Sequence, residues 1–232
     1  LSHVPHGGQM GYPSLFINFP DEIIQPLADY GGGSPCGSLF IDEPTLPEGL
    51  GQALYTCDWG RSVVYRHPLT KTGAGFTAEQ ESFVELPRPT DMDIDASGNI
   101  YISSWKDGGF NFSKPEVGFV VMVRPQGSSV ATSNNEGSQL LKSMASPSHT
   151  LRLAAQRAIL TQGASPEIVS GLESLAASDT TIPVRVAAIS TLKQLLGEKS
   201  HPTLAKLAKD ATVREFALRA IADRTTQLAS TS

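Results

Sequence analysis

The residues best suited to chemistry are Asp58, Trp59 and Arg61, which directly follow an apolar, strand-like run. A carboxylate beside a guanidinium at a strand end can orient a quinone cofactor or a sugar hydroxyl through charge-assisted hydrogen bonds. The structural alternative is that Asp58 bonds to backbone and Trp59 packs between repeats. Trp105 repeats the tryptophan position, which favours structure, since a packing residue recurs with each repeat. With Lys106 beside that second tryptophan, the candidate cofactor-binding residues are Asp58, Arg61 and Lys106, and the catalytic residue is unassigned.

Other groupings of ligating residues carry less chemistry. His3 and His6 have a spacing that on a helix presents two imidazoles to a metal, but the proline and glycines around them disfavour a helix. Asp91, Asp93 and Asp95 lack the glycine and the terminal glutamate of an EF-hand loop. The sequence therefore predicts no metal site in this chain.

Two cysteines, Cys36 and Cys57, lie outside any Cys-x-x-Cys motif, which excludes a zinc ribbon and a covalently attached haem within these residues. Two alternatives stay open, a pair of free thiols or one disulfide formed in an oxidising compartment. Cys36 also lies in the glycine-rich segment 31–37, which we interpret as a loop that lets the backbone approach something closely.

The region 37–125 alternates short apolar runs with gaps that contain Gly and Pro, and this pattern predicts β-strands. Tyr55 and Trp59 recur as Tyr101 and Trp105, 46 residues later at both positions. Four short strands per period, with an aromatic at a fixed place, are typical of a β-propeller blade. We therefore predict about two blades of a β-propeller, with two hairpins of a small sandwich as the alternative.

A second repeat occupies the last third of the chain. The pattern apolar-Arg-x-x-Ala occurs at Arg152, Arg185 and Arg214, with spacings of 33 and 29 residues. Such units bury their apolar faces by stacking, which predicts an α-solenoid of helical repeats. These repeats look like HEAT repeats. The arginines are placed to bond carboxylates such as Asp179 or Asp210, or the helix-end carbonyls of the adjacent repeat. Five helices are predicted, at 148–162, 166–177, 183–196, 201–209 and 212–225, with a short helical piece at 140–144.

Composition limits the partners. The chain of 232 residues carries a net charge of −5 without a basic run, which argues against nucleic acid. No stretch approaches the roughly 20 apolar residues of a membrane helix. We predict a multidomain β plus α protein, with the C-terminal part of a propeller at 1–126, a flexible linker at 127–147 and helical repeats at 148–232. Leu1 is not an initiator Met, so we expect the missing blades upstream.

The motifs together resemble the membrane-bound dehydrogenase family of planctomycetes and verrucomicrobia. Those proteins combine a propeller similar to that of glucose/sorbosone dehydrogenases with HEAT repeats, in the same order. The resemblance covers residues ~30–125 and ~148–225. Most blades are absent here, and no Cys-x-x-Cys-His motif follows. The resemblance to this family rests on the segments Gly32–Gly37, Tyr55–Gly60, Arg88–Asp93, Gly98–Trp105 and Asp210–Ala217.

This resemblance implies a periplasmic or secreted parent that oxidises a sugar or an alcohol, with pyrroloquinoline quinone and calcium in the propeller channel. We expect the present chain to be a non-catalytic part of such a protein, with no cofactor of its own, because two blades cannot enclose a channel. The alternative is a non-enzymatic scaffold in which the propeller binds a sugar, a glycan or a protein. In both cases the HEAT face is expected to bind another protein.

Overall fold

A computed structural model of the chain describes residues 1–5, 7, 8, 10, 23–106, 116–127 and 137–224. The chain divides into two compact units, 1–129 and 130–232. The described elements of the first are β-strands, and those of the second are helices. We call them the β unit and the helical unit.

The described strands of the β unit form three small antiparallel sheets. The first has the order β1-β2-β3-β6, the second is the β4-β5 hairpin, and the third has the order β7-β8-β9. The strands are β1 (Pro35–Asp42), β2 (Gln52–Asp58), β3 (Val63–His67), β4 (Leu69–Thr72), β5 (Gly75–Ala78), β6 (Glu81–Glu85), β7 (Pro89–Ile94), β8 (Ile100–Trp105) and β9 (Gly118–Val123).

Alternating side chains of these strands build one core between the first and third sheets. The buried apolar members include Ile41, Ala53, Tyr55, Val64, Met92, Ile100 and Ile102. Strand β1 approaches β7 so closely that a Cβ on Gly37 would lie 2.5 Å from the Cα of Asp91. Only glycine fits at that position without a shift of the backbone.

Six α-helices and one 3-10 turn are described in the helical unit. They are α1 (Gly137–Met144), α2 (His149–Gln162), α3 (Pro166–Ala177), α4 (Ile182–Leu196), the 3-10 turn Gly197–Ser200, α5 (His201–Leu207) and α6 (Arg214–Ala222). Local signals set several ends. Ser148 caps α2 by accepting a hydrogen bond from Leu151 N, and Gly163 with φ +87° follows its last turn.

The helices pack in two layers around one core. Helix α4 lies between α2 and α6 in one layer, and α3 lies between α1 and α5 in the other. The buried side chains between the layers include Leu140, Met144, Ile159, Leu172, Ala188, Ile189, Leu192, Leu204 and Ala217.

The predicted partial propeller is wrong. The described residues form three small sheets of four, two and three strands, and no propeller is recognised among them. The repeated aromatic positions are also not equivalent. Tyr55 is fully buried and donates to Leu50 O at 2.9 Å, whereas Tyr101 is 38% exposed and donates to Asp95. A shared Tyr-x-x-x-Trp spacing therefore did not mark two copies of one blade.

The predicted α-solenoid of HEAT-like repeats is also wrong. The described helices share a single core in one compact unit, and no solenoid is recognised among them. The three repeat positions differ in environment, since Arg152 and Arg185 are buried and Arg214 is exposed. A repeated helix pattern thus reports a recurring local contact here, which is weaker evidence than a recurring structural unit.

Candidate functional site

The candidate cofactor residue Asp58 is fully buried at the end of β2. Its Oδ1 accepts from the backbone N of Ser34 at 2.8 Å and from the backbone N of Arg61 at 3.1 Å. A Cβ on Gly33 would overlap Asp58 Oδ2, so the glycine loop closes directly over this carboxylate. These contacts fix the loop against the turn after β2; binding of a cofactor by Asp58 stays a prediction.

The other two candidate cofactor residues, Arg61 and Lys106, have different surroundings. The Nε of Arg61 donates to Tyr30 O at 2.8 Å and lies 3.9 Å from Asp58 Oδ2, with about half of the side chain exposed. Lys106 is exposed at the end of β8, and its backbone N donates to Val117 O at 2.9 Å. The loop that follows it, 107–115, lies outside the described residues.

The two repeated tryptophans meet each other. The rings of Trp59 and Trp105 have centroids 5.8 Å apart, and the guanidinium of Arg88 lies 4.6 Å and 5.9 Å from them. Such cation–π contacts add stability to a partly buried cluster. Arg88 has φ +44° and donates its backbone N to the hydroxyl of Ser62, which itself has φ +58°. Positive φ angles are uncommon outside glycine, and this bonded pair of residues was not predicted from the sequence.

A buried network that sequence reasoning missed joins Tyr30, Thr56 and His67. The Tyr30 hydroxyl lies 2.6 Å from Thr56 Oγ1, and His67 Nε2 lies 3.0 Å and 2.8 Å from these two oxygens. Burial lowers the pKa of His67, so the ring is neutral, and its Nδ1 lies 3.2 Å from Glu79 O. A hydroxyl, an imidazole and a carbonyl in this order can activate a nucleophile. All three side chains are buried, however, so the network supports the fold.

Both cysteines are free thiols in the structure, with Cys36 exposed and Cys57 buried. Cys36 Sγ donates to Pro89 O at 3.2 Å and lies 3.6 Å from Cys57 O. Burial raises the pKa of Cys57 to about 12, so this thiol is no nucleophile at neutral pH. A disulfide between the two stays a prediction.

The candidate metal ligands near the start of the chain are His3 and His6. His3 packs edge-on against Phe76 with ring centroids 5.1 Å apart, and His6 lies outside the described residues. In the parts of the chain that the structure describes, no group of three His, Cys, Asp or Glu side chains is arranged to hold a metal ion.

The three repeat arginines bond carbonyls at the ends of preceding helices. Arg152 donates to two carbonyls after α1, and Arg185 donates from Nε to Ala176 O at 2.9 Å. Arg214 donates to a carbonyl after α5 at 3.1 Å. Arg185 also pairs with Asp210 at 2.6 Å. These side chains tie consecutive helices together.

Two grooves flank α4 on one face of the helical unit. The α4–α6 groove has a volume of about 460 Å³, and a second groove of about 280 Å³ lies between α2 and α4. Val186 and Ser190 line both, so the two grooves form one surface. The lining of the α4–α6 groove comprises Val186, Ser190, Lys193, Gln194, Phe216, Arg219, Ala220, Asp223 and Arg224.

The α4–α6 groove combines an apolar strip with clustered positive charge. Lys193 is only 4% exposed, and its Nζ donates to His201 Nε2 at 2.8 Å. Among the described residues, no carboxylate oxygen lies within 4 Å of this ammonium group. Arg219 and Arg224, in contrast, are exposed and pair with acidic neighbours on their own helical segment. A buried cation without a carboxylate thus lines an accessible groove.

The β unit has a hollow of about 550 Å³ beside Arg61, bordered by β3, β6 and the turn at Ser62. Its lining includes Tyr65 and Glu85, but every charged side chain in it is at least partly exposed. Burial of a charge distinguishes the α4–α6 groove from this hollow, because exposed charges are already stabilised by water. In the groove between α2 and α4 the buried cation is Arg152, which already donates to two carbonyls.

Comparison with known proteins identifies no relative: no family model, no curated protein and no solved structure matches this chain. No helix among the described residues is long and apolar enough to cross a membrane.

Proposed function

We propose that this chain is a non-catalytic binding module that captures a segment of a partner polypeptide in the α4–α6 groove. The observation that carries the proposal is the lining of this groove, in which Val186, Phe216 and Ala220 supply an apolar strip beside Lys193 and Arg219. Apolar surface provides affinity for side chains, and the few charged groups beside it fix their orientation.

The dimensions of the groove suit a short polypeptide segment. Its lining runs from Val186 to Gln194 along α4, which at 1.5 Å per residue is about 12 Å. An extended chain covers that length in about four residues. Partner helices and peptides commonly lie in grooves between two helices, with apolar anchors that point between them.

The proposal extends the expectation that the helical part binds another protein, without the solenoid architecture that first suggested it. It does not extend to the sugar dehydrogenase activity that the family resemblance implied. In the β unit, Asp58 and Arg61 make backbone hydrogen bonds that hold the loop 31–34 in place, and these contacts give no support to a cofactor site.

Selection of peptides on the full chain tests the proposal. A display library of random twelve-residue peptides is selected on the wild-type protein, and the enriched peptides are tested against Gln194→Trp. Gln194 is exposed and lines the groove, so the indole blocks the site without entering the core. The matched control is Lys206→Trp, an exposed position on α5 outside the groove.

We expect the enriched peptides to lose binding to Gln194→Trp and to keep it with Lys206→Trp. Peptides that bind both variants as well as wild type would place the binding surface elsewhere. A selection that enriches no binder would reject the proposal.

A further inference from the structure

The charges of the α4–α6 groove indicate which polypeptide it takes, an inference that rests on the function proposed above. We propose that the captured segment is acidic and that one of its carboxylates lies against Lys193. Three observations support it: the distribution of charge between the two units, the burial of Lys193 and the weak pairing of the two arginines at the same groove.

Charge is unevenly distributed along the chain. Residues 130–232 contain eleven Lys and Arg against eight Asp and Glu, a net charge of +3. The whole chain has 18 basic and 23 acidic residues, so residues 1–129 carry seven and fifteen, a net charge of −8. The helical unit is therefore the part of this acidic chain that attracts anions.

Lys193 is the residue that gives this attraction a site. It lies on α4 one position after Leu192, which is fully buried, and the residue is itself only 4% exposed. An ammonium group has three donors, and His201 Nε2 accepts one of them. A buried charge without a counter-charge is unfavourable, so a carboxylate that enters the groove gains both attraction and hydrogen bonds from Lys193.

His201 keeps the ammonium group in place. An ammonium group can only donate, so the ring accepts at Nε2, and its buried Nδ1 has no hydrogen-bond partner among the described residues. Both residues are buried, so the ammonium group of Lys193 has little freedom to turn toward bulk water. We regard His201 as a positioning residue for the cation, with no contact of its own to the partner.

Arg219 and Arg224 can join Lys193 at low cost. The Arg219–Glu215 pair, at 3.1 Å, and the Arg224–Asp223 pair, at 3.8 Å, are both solvent-exposed. Exposed pairs of this kind contribute little to stability, so a partner carboxylate can replace them. Phe216 and the apolar strip favour a polypeptide over a nucleic acid, whose binding depends on many phosphate contacts along a basic surface.

The test compares an acidic peptide with its neutral counterpart on the full chain. Peptides enriched in the selection above are sequenced, and the tightest acidic peptide is synthesised together with a version in which each Glu and Asp is replaced by Gln and Asn. Binding is measured by fluorescence anisotropy at low and high NaCl. The protein variants are Lys193→Met, Lys193→Arg and the control Lys199→Met, an exposed lysine outside the groove.

We expect Asp and Glu to be enriched, and the acidic peptide to bind about 10- to 100-fold more tightly than its amide version, the effect of a charge-assisted hydrogen bond. Lys193→Met should abolish that difference, whereas Lys193→Arg and Lys199→Met should retain it. The comparison of the two peptides on wild-type protein does not depend on how any variant folds.

The possible failures separate this inference from the proposed function. Groove-dependent peptides without acidic enrichment would overturn the acidic partner and leave the binding function intact. Peptides that ignore the groove would overturn both. Tighter binding of a twelve-nucleotide oligothymidine than of the best peptide, lost in Lys193→Met, would assign the cation to nucleic acid and reject an acidic polypeptide.

Discussion

Replacement of Arg185 by Met should destabilise the helical unit far more than the same change at Arg214. Both arginines occupy the same position of the sequence repeat, but the side chain of Arg185 is only 6% exposed, whereas Arg214 is solvent-exposed. Met keeps the apolar stem and removes the guanidinium. The variant pair thus isolates the bonds made by a buried charge.

The magnitude follows from the contacts of Arg185. Its Nε bonds to Ala176 O at 2.9 Å, and loss of this charged donor leaves a buried carbonyl unsatisfied. Hydrogen bonds from charged groups contribute about 1.5–3 kcal/mol, and the pair with half-exposed Asp210 adds less because solvent screens it. We expect Arg185→Met to lower the free energy of unfolding by about 2–4 kcal/mol and Arg214→Met by about 0.5 kcal/mol or less.

Urea denaturation followed by circular dichroism at 222 nm measures both losses, because the described helices all belong to this unit. The hydrogen bond from Arg185 holds the pKa of Asp210 below its usual value. The stabilisation from this pair is complete above the unfolded pKa of about 3.9 and disappears as pH falls through the lower folded pKa. The gap between wild type and Arg185→Met should therefore narrow below pH 4. If Arg185→Met and Arg214→Met lose the same free energy of unfolding, burial of the Arg185 guanidinium does not contribute the expected stability.

Three further outcomes are expected. Ala188→Leu should overpack the tight contact of α4 with the core and cost about 1–3 kcal/mol, seen as a lower melting temperature; an unchanged value would show that the face has room. Because burial lowers the pKa of His67 below its unfolded value of about 6.5, the free energy of unfolding of the β unit should fall as pH drops below that value. Fluorescence of the two tryptophans, both in the β unit, measures this free energy of unfolding. His67→Gln should flatten its dependence on pH, and an unchanged dependence would show that another group titrates. Iodoacetamide should modify Cys36 rapidly and Cys57 only after unfolding; protection of both until a reductant is added would establish the disulfide instead.

Local structure could be predicted well from the sequence. The five predicted helices coincide with α2 to α6, and the short piece at 140–144 lies within α1. Capping residues and helical periodicity are signals within a few residues of each other, so they survive without tertiary information. Prolines in the first turns of α3 and α5 marked their starts correctly. The β4-β5 hairpin was missed, although Gly73 in the two-residue turn between its strands was a usable signal.

Higher-order assembly could not be derived from the same patterns. The recurrence of Tyr and Trp was a true feature of the sequence, but Trp59 and Trp105 pack against each other with Arg88, so they belong to one cluster. The network of Tyr30, Thr56 and His67 joins residues from separate parts of the chain, and no sequence spacing predicts these contacts.

The candidate site left one signal in the sequence. Lys193 falls on the apolar stripe of α4 that also contains Ile189 and Leu196, where a lysine is unexpected. A charged residue in a helix stripe indicates either a buried partner or a ligand. Its contact with His201, and the groove formed with α6, depend on how the helices pack and so became visible only in the structure.

A methyl-resolved NMR titration of the full chain with the tightest selected acidic peptide tests whether an acidic segment binds in the α4–α6 groove. We expect the methyl signals of Val186 and Ala220, which line the α4–α6 groove, to shift in proportion to bound peptide. The same signals should stay unshifted in Gln194→Trp. Signals of Ile102 and Val121 in the β unit should not respond. Shifts confined to the β-unit methyl signals, or shifts of the groove signals that are equal in wild type and Gln194→Trp, would show that the peptide does not bind in the α4–α6 groove.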